Sequence, residues 1–209
     1  MVSELPRYQR LVHGLVLPAP VADEPALDFC NTRAGWGAPE PREYLTSYDH
    51  LVVWACEAGL IAAPVAERLR GSAKRESEQA GRVLERTLAL RDSLYATCTD
   101  SSAGDWAAVA AEARTASAAA VLVQNAPPGR RWVIPENAGL DLPALELARA
   151  AGALLSSTDL EAVGRCPSEG CGWLFLDTRG RRRWCTMAVC GNRAKARRHA
   201  ARARDEARA

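Results

Sequence analysis

Hydrophobic residues recur at helical spacing through much of the first 160 residues. Ala80, Val83, Leu90 and Leu94 lie on one face of a helix, and charged residues occupy the remaining surface. The pattern predicts an amphipathic segment within a helical run from residue 64 to about residue 98, broken near residues 71–72. Similar patterns predict helices over 46–59, 103–117 and 142–156. We expect Trp54, Trp106 and Val109 to be buried.

Shorter apolar runs predict a small amount of β-sheet beside these helices. Six prolines within the first 43 residues exclude long helices there, so residues 15–17 and 26–30 are predicted as strands. Residues 119–124 and 130–134 flank a turn with two prolines and a glycine, which predicts a β-hairpin with a long turn. The fold predicted for residues 1–160 is therefore α+β, predominantly helical with a small β-sheet.

The pattern changes after residue 160, where a cysteine-rich segment begins. In residues 173–177, Trp173, Phe175 and Asp177 alternate with two leucines. Residues 178–180 are suited to a turn, and residues 183–185 lead back to a cysteine, which predicts a hairpin. Asn192 precedes a run rich in alanine and arginine, which predicts an N-cap followed by a helix. Residues 161–209 are thus predicted as a second, small domain. Its order is cysteine turn, β-hairpin, cysteine turn and basic helix.

Four of the seven cysteines lie in this small domain. Cys166, Cys171, Cys185 and Cys190 form two close pairs, each with four intervening residues. Because four thiolates complete the tetrahedral shell that Zn²⁺ prefers, the spacing predicts one structural zinc ion with no open position. Two disulfides are the alternative, and they need an oxidising compartment. Trp173 and Trp184 are predicted either to cover the metal or to stack on nucleic-acid bases.

Charge is distributed unevenly along the chain. The net charge is +2, yet residues 1–178 contain 16 Lys and Arg against 23 Asp and Glu, whereas residues 179–209 contain 11 against 2. An acidic body with a basic end is typical of a protein that presents one face to a polyanion, and a solvated charged helix is the alternative. The candidate nucleic-acid contacts are the basic residues of the hairpin and helix, namely Arg181, Arg182, Arg183, Arg193, Lys195, Arg197, Arg198 and Arg202.

Several motifs resemble a known family. Residues 190–193 read CGNR, with WLFLD at 173–177 and RWCTM at 183–187, and the segment is similar to the CGNR zinc finger family. Residues 27–32 read LDFCNT, which resembles the start of the ABATE domain that usually precedes this finger. The resemblance implies a stress-induced bacterial transcription regulator whose finger binds DNA. The part before the finger would then sense a signal or form a homodimer. Cys30 and Thr186 depart from the family's usual residues without touching the predicted ligands.

The segment at 27–32 also contains two polar residues in apolar surroundings. Asp28 and Asn31 are predicted to line a pocket for a small-molecule effector, or else to cap turns and satisfy backbone donors.

Signals for catalysis and export are absent from the sequence. No P-loop, G-x-S-x-G, G-x-G-x-x-G or H-E-x-x-H motif occurs, so we expect that the protein is not an enzyme. The first 20 residues lack a secretory apolar region, and no apolar run approaches the roughly 20 residues of a membrane span, which favours a cytoplasmic protein with reduced thiols. Binding of RNA or of an acidic protein is the main alternative to DNA binding. An enzyme with a structural zinc staple is the less favoured one.

Overall fold

The computed structural model describes residues 5–100, 106–125 and 129–206. The described residues form two compact units. The first unit combines the part of the chain up to Tyr44 with the part from Ala162 onwards, and the second unit comprises Leu45–Glu161. The predicted boundary between residues 160 and 161 divides the chain into two consecutive domains. This division stays a prediction.

Short strands are concentrated in the first unit and long helices in the second. The chain begins with β1 (Gln9–Val12), β2 (Leu15–Pro18), α1 (Pro25–Cys30), β3 (Arg33–Ala34) and β4 (Arg42–Glu43). The second unit contains α2 (Tyr48–Glu57), α3 (Ala63–Arg75), α4 (Ser77–Thr99), α5 (Trp106–Ala119), β5 (Val121–Asn125), β6 (Gly129–Val133) and α6 (Leu142–Leu155). The chain continues with β7 (Val163–Arg165), β8 (Leu174–Leu176) and α7 (Asn192–Glu206). This is the predicted α+β class. Among the helices in the described ranges, none is both long and apolar enough to cross a lipid bilayer.

The first hairpin follows directly from local sequence. β1 pairs antiparallel with β2 so that Val12 lies opposite Leu15. His13 and Gly14 form the loop with φ angles of 49° and 80°. Two successive positive φ angles are typical of the type I′ turn, whose twist matches that of the flanking strands. The strand predicted at 15–17 is confirmed.

The strand predicted at 26–30 is wrong, because these residues form α1. Pro25 occupies the first turn of the helix. The N–H that proline lacks would have no acceptor within the helix at this position, so no hydrogen bond is lost. Glu24 caps the helix, since its side chain accepts a hydrogen bond from the N–H of Ala26 at 3.2 Å. Most of this short helix is buried, so its apolar run resembled that of a buried strand.

The helices of the second unit largely follow the hydrophobic pattern. The side chain of Ser47 caps α2 by accepting the N–H of His50 at 3.3 Å. The predicted break near residues 71–72 is wrong, because Gly71 stays within α3 and the chain breaks at Glu76. Trp54 and Val109 are buried as predicted. The predicted burial of Trp106 is wrong, because this residue, at the start of α5, is 63% exposed.

The hairpin predicted in the second unit is confirmed. β5 pairs antiparallel with β6, and this places Leu122 opposite Trp132 and Val123 opposite Arg131. The residues of its turn, 126–128, lie outside the described residues.

The hairpin predicted between the two cysteine pairs has a different partner. β8 is present, but it pairs with β7, so that Leu174 lies opposite Arg165 and the hairpin encloses the first cysteine pair. Residues 183–185 form no strand. The reason is a turn at Asp177, whose carboxylate accepts the N–H groups of Arg181 at 3.0 Å and Arg182 at 2.9 Å. These bonds redirect the chain before it can return alongside β8.

The contact between α5 and α6 generates a first prediction. A Cβ at Gly152 would lie 2.8 Å from the Cβ of Ala113, so Gly152→Ala should destabilise the second unit by about 1–3 kcal/mol through overpacking. Gly81→Ala is the control, because an added Cβ meets nothing within 4 Å there and should stabilise α4 by about 0.5–1 kcal/mol. Urea unfolding followed by far-ultraviolet circular dichroism measures both. Equal effects of the two substitutions would contradict the close packing.

Candidate zinc centre and basic surface

Two turns position the four predicted ligands. Cys166 follows β7, and Cys171 closes the first turn by donating its N–H to the carbonyl of Ser168 at 2.9 Å. Gly170 and Gly172 flank Cys171 with φ angles of 68° and 70°, a conformation that favours glycine.

The second turn leads into the C-terminal helix. Residues Met187–Gly191 form a single π-helical turn that contains Cys190, and Cys185 precedes it. Thr186 caps this turn, since its side chain accepts the N–H of Ala188 at 3.2 Å. The N-cap predicted at Asn192 is therefore wrong, because the π turn starts the helical segment five residues earlier.

The geometry of the sulfur atoms fits a tetrahedral zinc ion. The four Sγ atoms lie within 4.8 Å of one another. The Sγ atom of Cys185 lies 3.7 Å from that of Cys171 and 3.6 Å from that of Cys190. A tetrahedron with Zn–S distances of about 2.3 Å has S···S edges of about 3.8 Å, whereas a disulfide bond measures about 2.05 Å. The cluster therefore suits one zinc ion and not two disulfides. Its four thiolates close the coordination shell.

The thiols also change one another's ionisation. Hydrogen bonding with Cys171, Cys185 and Cys190 lowers the pKa of Cys166. Hydrogen bonding with Cys166 is the largest cause that raises the pKa of Cys171 and the pKa of Cys185. Without a cation, the cluster therefore favours ionisation of some of its thiols and opposes ionisation of others. A divalent cation removes that opposition, so metal binding and ionisation of the thiols are coupled.

Residues from the beginning of the chain complete the core around the cysteines. Tyr44 belongs to the same buried cluster as Trp173, Phe175 and the three buried cysteines. Further apolar side chains from the beginning of the chain pack against this cluster, namely Tyr8, Val16, Val21, Ala34 and Trp36. The small finger thus obtains much of its apolar core from the first 44 residues, which sequence reasoning did not predict.

The two tryptophans of the finger differ in their environment. Trp173 is 3% exposed, donates its indole N–H to the carbonyl of Arg33 at 3.1 Å, and meets the ring of Tyr8 edge to face. Trp184 is half-buried, and the guanidinium of Arg183 lies over its ring at 5.2 Å. The burial of Trp173 favours covering the metal centre over stacking on bases.

Asp28 and Asn31, the predicted pocket residues, both bind backbone. Asn31 is almost fully buried, and its side chain donates to the carbonyl of Leu174 at 2.9 Å and accepts the N–H of Leu174 at 2.8 Å. It therefore joins the end of α1 to β8. Asp28 accepts the N–H groups of Val21 at 2.8 Å and Ala22 at 3.0 Å, and burial raises its pKa despite these bonds. These contacts give both residues a structural role, and a ligand-binding role stays a prediction.

Arg182 differs from its two arginine neighbours. Its guanidinium donates to the carbonyl of Cys185 at 2.6 Å, to the carbonyl of Val21 and to the carboxylate of Asp23 at 2.9 Å. The same group lies over the ring of Phe175 at 4.8 Å. Arg182 therefore ties the second cysteine turn to residues 21–23, while Arg181 and Arg183 are exposed.

The C-terminal helix presents the remaining predicted basic residues. α7 has no buried residue, and Arg193, Lys195, Arg198 and Arg202 are exposed. Arg197 forms an ion pair at 3.0 Å with Glu169 of the first cysteine turn, although its side chain stays 54% exposed. The structure therefore leaves most of the predicted contact residues accessible, and contact with nucleic acid stays a prediction for all eight of them.

Two family models match the chain. The ABATE model, described as "Putative stress-induced transcription regulator", matches residues 23–158. The CGNR zinc finger model matches residues 163–203, which include all four cysteines. The sequence matches no curated protein.

The zinc centre generates a second prediction. Because residues up to Tyr44 pack on the cysteine cluster, chelation of zinc or Cys185→Ser should unfold the first unit and leave α2–α6 folded. Hydrogen exchange should show lost protection throughout the elements of the first unit, including β1, α1, β8 and α7, and retained protection in α2–α6, and metal analysis should give one zinc per chain before chelation. Cys98→Ser is the control, since Cys98 lies in α4 outside the cluster. Zinc loss from that control, or a protected β8 after chelation, would contradict the assignment.

A third prediction separates the roles of adjacent arginines. Arg182→Ala should destabilise the first unit by about 1–3 kcal/mol, because it leaves partly buried backbone carbonyls without their donor. Arg183→Ala removes the same charge from an exposed position and should change stability by less than about 0.5 kcal/mol. Thermal unfolding followed by tryptophan fluorescence compares the two, and similar losses would argue against a specific structural role for Arg182.

Proposed function

Because the chain belongs to the ABATE family and carries a CGNR zinc finger, we propose that it is a bacterial transcription regulator that contacts DNA through this finger. In this proposal the zinc ion is structural. The exposed arginines and lysine of the finger bind the phosphate backbone, and the domain before the finger, residues 1–160, senses a signal or forms a homodimer. The protein acts in the cytoplasm, where the four thiols stay reduced and available to zinc.

The observation that carries the proposal is the exposed basic helix. Residues 192–206 contain six Lys and Arg against Asp205 and Glu206, and α7 has no buried residue. A helix that is polar on every side gains little stability from packing, so the chemistry of α7 lies in its exposed basic surface. Polyanion binding uses such a surface, because each phosphate contact releases a condensed counterion and raises affinity.

Arg197 has a distinct place in the proposal. Its ion pair with Glu169 connects α7 to the first cysteine turn. Exposed ion pairs of this kind contribute at most about 1 kcal/mol, so a DNA phosphate can replace Glu169 as the partner of Arg197. The pair orients the helix in the free protein without blocking the proposed contact.

We propose no catalytic step. Four thiolates complete the tetrahedral shell of zinc, and catalytic zinc sites keep a position open for water or substrate. The metal therefore supports structure in this proposal.

A fourth prediction concerns the salt dependence of DNA binding. If Arg181, Arg183 and the exposed basic residues of α7 neutralise about five phosphates, log K for duplex DNA should fall with log salt at a slope of about −4.5. Replacing Arg181 and Arg183 together by Ala should flatten the slope by about one to two units without changing zinc content. Fluorescence anisotropy with a labelled duplex over a range of salt concentrations measures the slope.

The control for this prediction removes the same charge elsewhere. Lys74→Ala combined with Arg114→Ala changes two exposed cations of the second unit and should leave the slope unchanged. Absence of salt-dependent duplex binding by the zinc-loaded protein at low ionic strength would refute the proposal. Tighter binding of duplex RNA than of DNA would support the RNA alternative instead.

A further inference from the structure

A cavity of about 390 Å³ lies within the second unit. It is formed by the loop after α2, the start of α3, the β5–β6 hairpin and the beginning of α6. Its apolar wall includes Leu60, Ile61, Val65, Val133 and Leu142. This volume falls in the range of about 300–1,000 Å³ that is usual for small-molecule sites.

Strand geometry decides which hairpin side chains reach this cavity. Successive side chains of a strand point to opposite faces, and Val123 lies opposite Arg131 in the antiparallel pair. Val123, Arg131 and Val133 therefore share one face, and all three line the cavity. Arg130 and Trp132 belong to the opposite face of the same strand.

Three charged residues line the cavity, and two of them are neutralised within the protein. Glu146 is 6% exposed, accepts the N–H of Ile134 at 3.3 Å, and forms an ion pair with Arg149 at 2.7 Å. Glu136 forms an ion pair with Arg68. Arg131 is exposed and forms no ion pair within residues 5–100, 106–125 and 129–206. The cavity thus combines an apolar wall with one uncompensated cation.

We propose that this cavity binds a small organic acid with an apolar body. The apolar body packs against Ile61, Val65 and Val133, and the carboxylate binds the guanidinium of Arg131 in a charge-assisted pair. A cationic ligand is disfavoured, because both carboxylates already have positive partners. The inference rests on the proposed function in one respect, since such an acid would be the effector that a regulator senses.

The test uses the full-length, zinc-loaded protein without nucleic acid and three probes that share one apolar chain. Isothermal titration should show saturable binding of octanoate, and weaker binding of octan-1-ol and octylamine, because only octanoate pairs with Arg131. Arg131→Gln should weaken octanoate binding about tenfold, the usual scale of a lost charge-assisted bond. Arg130→Gln removes the same charge from the opposite face and should leave the affinity unchanged.

A second variant tests the location independently of charge. Ala62 lines the cavity but is exposed, so Ala62→Phe should fill the cavity and abolish octanoate binding while the melting temperature stays unchanged. The inference is overturned if octanoate does not bind saturably, if octan-1-ol binds equally well, or if Arg130→Gln weakens binding as much as Arg131→Gln. Duplex binding by the same variants is measured separately, so failure of the acid site leaves the proposed DNA contact standing, and the reverse also holds.

Discussion

The tetrahedral set of four thiolates is the constraint on which the first unit depends. The two cysteine turns contain few apolar side chains of their own, and small zinc sites of this kind gain about 10–16 kcal/mol from the metal. Around the sulfur atoms, Tyr44 and Trp173 close a shared core. Asn31 joins the end of α1 to β8 through two hydrogen bonds with the backbone of Leu174. Metal coordination and packing by the first 44 residues therefore stabilise the same structure.

The metal centre also fixes the position of the basic surface. α7 buries no residue, so its position depends on its start, where it continues directly from the π turn that contains Cys190. The ion pair between Arg197 and Glu169 adds a second attachment to the first cysteine turn. Among the three consecutive arginines before Trp184, Arg182 holds the core together while Arg181 and Arg183 face outward. One short segment thus contributes both to the stability of the zinc centre and to the surface proposed to bind DNA.

Features with local signals were predictable from the sequence, and features that depend on distant contacts were not. The zinc ligands, the hairpin around residues 125–129 and the helix that starts after Ser47 each follow from spacing, turn residues or a cap within a few positions. α1 was mistaken for a strand because the mostly apolar run of five residues at 26–30 is too short to show a diagnostic period. The pairing of β8 and the internal role of Arg182 escaped prediction because their partners lie elsewhere in the chain. Asn31 and Leu174 are 143 positions apart, and no local pattern indicates such a contact.

The most direct test of this account is the zinc affinity of residues 161–209 alone, compared with that of the whole chain. In a Trp184→Phe background Trp173 is the single tryptophan of the isolated segment, so the fluorescence of that segment reports the burial of Trp173. The isolated segment should bind zinc more weakly than the whole chain and leave Trp173 exposed, and adding a peptide of residues 1–44 with Trp36→Phe should strengthen zinc binding and bury Trp173. Equal zinc affinity and a buried Trp173 in the isolated segment would contradict the claim that the beginning of the chain completes the zinc centre.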